Sequence, residues 1–313
     1  MSTQNDDSNN DGTGSGGVGA RTRGLSPGRI GLYAVLLAML AFYLVPIETG
    51  LMTSIKTNGA VIETLPYAPP GPDGFTLQKW ERASSTLLRG MGNSMLYAVP
   101  ATVLSAFFGS LAAYGLTVAD WDERYKAVLL ALFVAGIFIP YQAVLVPLSQ
   151  FWGQYVQLEQ LLGFVWDLGI DSDYTGIIEL VITHVAYGIP ICTVLFRAYY
   201  KTLSDEMIES ARLDGASLRR VYRRIVLPLS TPMFAVVLIY QFTQIWNDLL
   251  FTLVLVATES SAAAPVVLIL AGLGTGMEGT DFPLRMAGAF FTALPTLAVY
   301  ILFGEEFAEG VTT

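Results

Sequence analysis

The chain has 313 residues, of which 53% are hydrophobic and only 14% charged, with a formal net charge of −9. Soluble domains carry about a quarter charged residues, so this composition indicates a protein surrounded by lipid. The single cysteine excludes an internal disulfide, and no Cys, His and carboxylate cluster has metal-ligand spacing. Because no glycine-rich phosphate loop is present, the chain is not expected to bind ATP itself. Neither a cofactor, nor nucleic-acid binding, nor enzymatic catalysis is predicted.

Residues 1–28 are rich in Ser, Asn, Asp and Gly and carry almost no apolar side chain before residue 24. Such a segment cannot bury enough surface to offset the entropy cost of ordering it. It is therefore predicted to be a disordered cytoplasmic tail that runs into the start of the first span. No signal peptide is predicted, because no apolar core follows a basic start within the usual length.

Lysine is scarce among the 17 basic residues, with only Lys56, Lys79, Lys126 and Lys201 present. An acidic, lysine-poor surface stays hydrated at high ionic strength. The composition therefore suggests a salt-rich cytoplasm.

Six apolar stretches approach the ~20 residues that a bilayer requires. They cover residues 30–47, 91–119, 127–149, 175–196, 230–256 and 284–304. An all-α polytopic membrane protein with six transmembrane helices is predicted. Its organisation is a first transmembrane helix at 29–48, an outer loop at 49–88 with a short helix near 77–88, a membrane domain of five helices at 89–304, and a short cytoplasmic tail at 305–313.

The orientation follows from the distribution of basic residues. With the N-terminus inside, twelve of the 17 basic residues lie in inner segments, and five lie outside. Both termini are then cytoplasmic. The segment between the fourth and fifth spans also faces the cytoplasm.

Small residues and prolines shape the spans. Ser105, Gly109 and Ala113 recur every four residues in the second span, a spacing that lets two helix backbones approach closely. Prolines occur in spans two to six, and each removes a backbone hydrogen bond and favours a kink. The resulting bends are either static or part of a rocking motion.

The segment between the fourth and fifth spans is too long and too ordered for a simple connection. Ser204 is placed to cap a helix in which Leu203, Met207 and Ala211 share a face, and Gly215 supplies the left-handed residue that ends it. A basic second helix follows, over about 217–226. Its arginines fit anionic lipid headgroups, whereas the acidic residues and the fixed turn favour a protein groove.

This segment resembles the EAA loop of the membrane subunits of ABC importers, whose pattern is E-A-A, three residues, G, and then I-x-L-P. The matching residues are Glu209, Ala211, Gly215, Ile225, Leu227 and Pro228. Ser210 replaces the middle alanine, and Ser204 and Tyr222 replace a frequent proline and a frequent other aromatic residue.

The resemblance extends over about residues 65–304, in particular to the second permease of carbohydrate importers of the maltose and glycerol-phosphate type. The segments that carry it are Phe75-Thr76-Leu77, Asn93-Ser94, Ile139-Pro140-Tyr141-Gln142, Val146-Pro147-Leu148 and Trp246-Asn247-Asp248. It implies a type I ABC importer fold in a prokaryotic plasma membrane.

The resemblance also implies roles and partners. Residues 198–229 (the coupling loop) would insert into a cleft of a separate ATPase. The residues expected to carry this coupling are Met207, Glu209, Ser210, Ala211, Asp214, Gly215 and Ala216. The expected partners are a second permease subunit in a heterodimer, two ATP-binding subunits, an extracellular solute-binding protein and the lipid bilayer.

Four polar residues of the fifth span are candidates for lining the transport pathway: Gln241, Gln244, Asn247 and Asp248. Ionisable groups at membrane depth usually face a cavity or a partner. Amides and a carboxylate on one face would hydrogen-bond sugar hydroxyls. The alternative is an interhelical polar contact that holds the helices together.

The predicted function is that of a permease subunit of an ATP-driven importer for a sugar or oligosaccharide, forming half of the translocation pathway. The alternatives are an ABC permease for another solute, such as glycerol-phosphate or a polyamine, and an ion-coupled secondary carrier. A carrier of the latter kind would favour related halves and paired charges near the midplane, which this sequence lacks. A membrane scaffold or receptor that moves nothing is a further alternative, which the polar face of span five disfavours.

Overall fold

A computed structural model describes residues 27–256, 258–277 and 279–312, and most of the predicted N-terminal tail lies outside these residues. The helices are α1 (Pro27–Ser54), α2 (Asn58–Glu63), α3 (Gln78–Val118), α4 (Glu123–Ile137), α5 (Tyr141–Gln150), α6 (Leu158–Leu161), α7 (Gly163–Trp166), α8 (Thr175–Tyr200), α9 (Asp205–Leu213), α10 (Leu218–Val221), α11 (Leu227–Leu229), α12 (Thr231–Trp246), α13 (Leu250–Leu255), α14 (Val266–Gly272) and α15 (Phe282–Thr312). π-Helical turns occupy Phe151–Val156 and Tyr222–Val226, and 3-10 turns occupy Pro72–Gly74 and Ser172–Tyr174. Strands β1 (Thr275–Gly276) and β2 (Gly279–Thr280) form one antiparallel hairpin.

Four of the described helices are long and apolar enough to cross a membrane: α1, α3, α8 and α15. Two further spans exist if each of two bent helix pairs is one span. The first pair joins α4 to α5 and the residues up to Leu161 with a bend of 95°, and the second joins Leu218–Leu229 to α12 with a bend of 76°. The count of six spans stays a prediction.

The predicted third and fifth spans are both interrupted, for identifiable reasons. The third breaks before Tyr141, because Pro140 disfavours a helical conformation at the residue before it. The fifth breaks between α12 and α13, where the Asp248 carboxylate accepts a hydrogen bond at 3.1 Å from the Phe251 amide in the first turn of α13.

One predicted boundary differs from the structure, and one predicted tail continues a helix. The short outer helix near 77–88 is continuous with the second span, since α3 runs unbroken for 41 residues and buries Ala83 and Leu87 near its start. The predicted cytoplasmic tail at 305–313 is helical as far as Thr312, as the end of α15.

Helices α3 and α8 pack closely along their length. A Cβ atom at Gly109 would collide with Cys192, and one at Gly188 would collide with Ser105. The predicted small-residue stripe of the second span is thus the surface on which α8 lies. Two apolar clusters flank this contact. One surrounds Trp246, toward the start of α8, and the other surrounds Phe196, toward its end.

The segment after α1 is held by a fully buried lysine. The Lys56 side chain is 1% exposed, and its Nζ donates to the carbonyls of Leu65 and Pro66 at 2.8 and 3.2 Å. The backbone of Lys56 also pairs with that of Phe75. This proline-rich loop is therefore ordered by internal polar contacts although it contains little regular structure.

Candidate functional site

Helix α9 forms as its capping residues dictate. The Ser204 side chain accepts from the Met207 amide at 3.4 Å, and Asp205 and Glu206 occupy the positive first turn. Ile208 is buried against the protein, whereas Glu209 is exposed and lines a cavity beside Ile208 and Arg212, and the end of the helix at Leu213 is exposed. Part of the helix is therefore attached to the protein, and part is free for a partner.

The turn after α9 has the geometry that the glycine predicts. Gly215 adopts φ 80°, and the Ala216 amide donates to the Ala211 carbonyl at 3.0 Å. A Cβ atom at Gly215 would meet no other atom within 4 Å, so the constraint on this residue within the chain is its backbone conformation. Asp214 is exposed at the tip of the turn.

Hydroxyl groups attach the coupling loop to α3 and α8. The Ser110 hydroxyl lies 2.6 Å from the Tyr200 hydroxyl and 2.8 Å from the Tyr222 hydroxyl. Tyr114 donates to the Leu218 carbonyl at 2.9 Å, and Tyr199 donates to the Leu229 carbonyl at 2.8 Å. Movement of the loop would therefore be transmitted directly to the two closely packed helices.

Two features of this surface escaped the sequence reasoning. Arg212 makes a two-nitrogen ion pair with Asp120, at 3.0 and 3.3 Å, which braces α9 against the segment after α3. Leu213 is 89% exposed at the end of α9. The ion pair joins residues 92 apart in sequence and carries no local signal, whereas an apolar residue directly before the Asp-Gly turn was a signal available in the sequence.

The four polar residues of the fifth span do not share one environment. Gln241 and Asp248 are buried, whereas Gln244 and Asn247 are exposed. Gln241 faces Cys192 of α8, with the Sγ and Oε1 atoms 4.0 Å apart. The Asn247 amide donates to the Thr243 carbonyl of its own helix at 2.8 Å.

Asp248 lies between two helices. Its Oδ2 atom is 3.4 Å from His184 Nε2 on α8, while the other ring nitrogen of His184 lies 2.8 Å from the Leu180 carbonyl. The rings of Tyr97 and Phe251 pack against His184 at centroid distances of 5.5 and 5.3 Å. These contacts support an interhelical role for Asp248 and leave Gln244 and Asn247 as the pathway candidates that reach the surface.

No group of three or more His, Cys, Asp or Glu residues in the described part of the chain is arranged to hold a metal ion.

Comparison with known proteins extends this description. The family model described as "binding-protein-dependent transport system inner membrane component" matches residues 105–304. The chain is 48% identical over 287 residues to the xylose/arabinose import permease protein XacI of Haloferax volcanii, covering 91% of this chain and 92% of that protein. It is 25% identical over 284 residues to the glucose import system permease protein GlcU of Saccharolobus solfataricus, covering 89% and 92%.

A solved structure shares the fold. It is a chain of the bacterial ABC transporter involved in the import of the acidic polysaccharide alginate. The two chains superpose with a TM-score of 0.63 at 20% sequence identity, and the match covers 88% of this chain and 95% of the other. The match confirms the predicted fold class, an all-α polytopic membrane protein of the ABC importer type.

Proposed function

Because this chain belongs to the family of binding-protein-dependent transport system inner membrane components, we propose that it forms half of the translocation pathway for a sugar. It is a membrane-embedded permease subunit of an ABC importer. The sugar assignment is supported by the names of two similar proteins, which concern xylose, arabinose and glucose. Glycerol-phosphate or a polyamine is the alternative solute.

The assembly that we propose contains this chain, a different permease subunit, two ATP-binding subunits and an extracellular solute-binding protein. A related alginate transporter was solved in complex with a periplasmic protein that holds an alginate pentasaccharide, which supports the last of these partners. Both termini and the coupling loop lie in the cytoplasm of a prokaryotic cell in this proposal, as the distribution of basic residues indicates.

The coupling loop is the proposed contact with the ATPase. The observation that carries this proposal is that buried residues fix the loop to the protein while an acidic and an apolar side chain of α9 remain exposed. Ile208, Tyr222 and the Tyr114 hydrogen bond hold the loop to the protein, while Glu209 and Leu213 are exposed. A helix attached in this way transmits displacement when a partner binds its exposed side chains.

Two substitutions test this role in the importer reconstituted in proteoliposomes. Glu209→Lys reverses the charge offered to the ATPase, and Gly215→Leu places a side chain where φ is 80°. Both should leave the protein inserted in the membrane but abolish the coupling of ATP hydrolysis to uptake.

The matched controls are Glu81→Lys, a charge reversal at the exposed start of α3, and Gly215→Asn, since asparagine tolerates the left-handed conformation. Both should retain coupled transport. Full transport by Glu209→Lys and Gly215→Leu would refute the docking role.

A further inference from the structure

The coupling loop ends in a helical run that is bent sharply from the helix that follows it. The run covers Leu218–Leu229 and consists of α10, a π-helical turn and α11, and we call it the arginine segment. The bend between this segment and α12 is 76°. A segment at this angle to a membrane-crossing helix runs nearly parallel to the plane of the membrane, as interfacial helices do.

The arginine segment lies beside α3 rather than beyond its end. The Tyr222 hydroxyl lies 2.8 Å from the hydroxyl of Ser110, which precedes the last residue of α3, Val118, by about 12 Å of helix. Helix α9, in contrast, is joined through Arg212 to Asp120, which follows the end of α3. The arginine segment is therefore level with the last turns of a membrane-spanning helix, where lipid headgroups are found, and α9 lies further out.

The arginine segment has one face attached to the protein and one basic face. Val221, Tyr222 and Val226 are buried. Four exposed arginines occupy the remaining surface as two pairs at the i, i+4 spacing of a helix: Arg219, Arg220, Arg223 and Arg224. The segment is thus amphipathic, with the protein on one side and a dense positive charge on the other.

This positive charge is not balanced within the chain. Among the residues that the structure describes, none of the ion pairs includes one of the four arginines. Like charges at this spacing repel one another, so an anion that meets the basic face lowers its free energy. The counter-charge therefore has to come from outside the described chain.

The position and the chemistry of the basic face favour a phospholipid headgroup. A guanidinium group matches a phosphate with two parallel hydrogen bonds, and arginines at a membrane surface attract anionic lipid. Such a surface would repel the exposed carboxylates of Glu209 and Asp214, but these belong to α9 and the turn after it. The coupling loop is thus divided into an acidic outer part and a basic part at the level of the headgroups.

We propose that the arginine segment is a binding surface for anionic phospholipid headgroups. It anchors the membrane end of the coupling loop, while α9 remains free to meet a protein partner. This inference depends on the chain being embedded in a membrane and does not depend on which solute is carried.

The test measures lipid preference of the full chain reconstituted in phosphatidylcholine vesicles. Electron paramagnetic resonance compares the immobilised fractions of spin-labelled phosphatidylglycerol and phosphatidylcholine, and the wild type should prefer the anionic lipid. Arg223→Gln combined with Arg224→Gln should reduce this preference at least about twofold, because two cations leave the surface. The control, Arg82→Gln combined with Arg89→Gln, removes the same charge from exposed positions near the start of α3 and should keep the wild-type preference.

A second measurement uses the wild type and so does not depend on the folding of a variant. Photoactivatable phosphatidylglycerol should label peptides from residues 218–229 more strongly than photoactivatable phosphatidylcholine does. Labelling confined to other parts of the chain would overturn the proposal, as would equal lipid preference in the wild type and the Arg223→Gln, Arg224→Gln variant. Loss of association with ATP-binding subunits at unchanged lipid preference would also overturn it, and would assign the arginines to a protein partner.

Discussion

At the scale of single residues, burial separates the polar side chains of the fifth span into two kinds. Gln241 and Asp248 contact α8, and Gln244 and Asn247 are exposed. Helical spacing alone places Gln241, Gln244 and Asp248 on a common face. The residue that departs from this expectation is Gln244, which is exposed although Gln241 and Asp248 on either side of it both contact α8.

This difference predicts different effects of substitution. Asp248→Asn keeps an oxygen that accepts from the Phe251 amide but removes the charge beside His184, so it should lower the melting temperature of the detergent-solubilised protein without a change in substrate preference. Gln244→Ala should leave stability within about 0.5 kcal/mol, as is usual for an exposed position, and should raise the KM for uptake.

Thermal unfolding and uptake kinetics measured on the same two variants check both statements. Unchanged uptake kinetics in Gln244→Ala and in Asp248→Asn would remove the pathway role from this span.

At the scale of secondary-structure elements, the coupling loop is fastened by a small number of hydroxyl groups. Ser110 is the central one, because its oxygen meets both Tyr200 at the end of α8 and Tyr222 in the π-helical turn. All three side chains are buried, so none of these hydroxyls has ready access to water as a substitute partner.

Ser110→Ala should therefore cost about 1–3 kcal/mol of stability, the range for leaving buried polar groups unpaired. It should also reduce sugar uptake per ATP hydrolysed, because the loop is held less firmly to α3. Thr117→Val provides the comparison, since the Thr117 hydroxyl bonds only the Ala113 carbonyl of its own helix. Equal transport stoichiometry in the two variants would contradict the transmission role of Ser110.

Local sequence signals are enough to predict helix α9 but not helix α14. The Ser204 cap and the Gly215 turn depend on neighbouring residues, so helix α9 was predicted to within a residue or two. Helix α14 was not predicted, because it is short and is positioned by distant contacts. Asn93 donates to the Ala262 and Ala264 carbonyls, and Ser94 accepts from the Val266 amide, across about 170 residues of sequence.

At the scale of the whole molecule, composition alone established the class of protein but not its sites. The low fraction of charged residues predicts a membrane protein, and the family match and shared fold confirm it. The cavity lined by segments 152–160, 172–179 and 255–261 could not be predicted, because the proximity of these three segments depends on tertiary packing. Glu179 was recognisable only as an acidic residue in an apolar span.

The net charge of −9 leads to a prediction for the entire chain. Repulsion among surface carboxylates is screened by salt, so the melting temperature in detergent should rise by at least about 3 °C between low salt and molar KCl. Substitution of sucrose at equal osmolarity controls for effects that are not ionic. Equal stability at both ionic strengths would contradict an adaptation to a salt-rich cytoplasm.

The buried position of Lys56 has a practical consequence for handling this protein. A loop with little regular structure is ordinarily open to trypsin, yet the bond after Lys56 is protected for as long as its ammonium group stays against the carbonyls of Leu65 and Pro66. A tryptic cut at this bond would thus signal that the protein has begun to denature at this end, before any loss of helix became visible by circular dichroism.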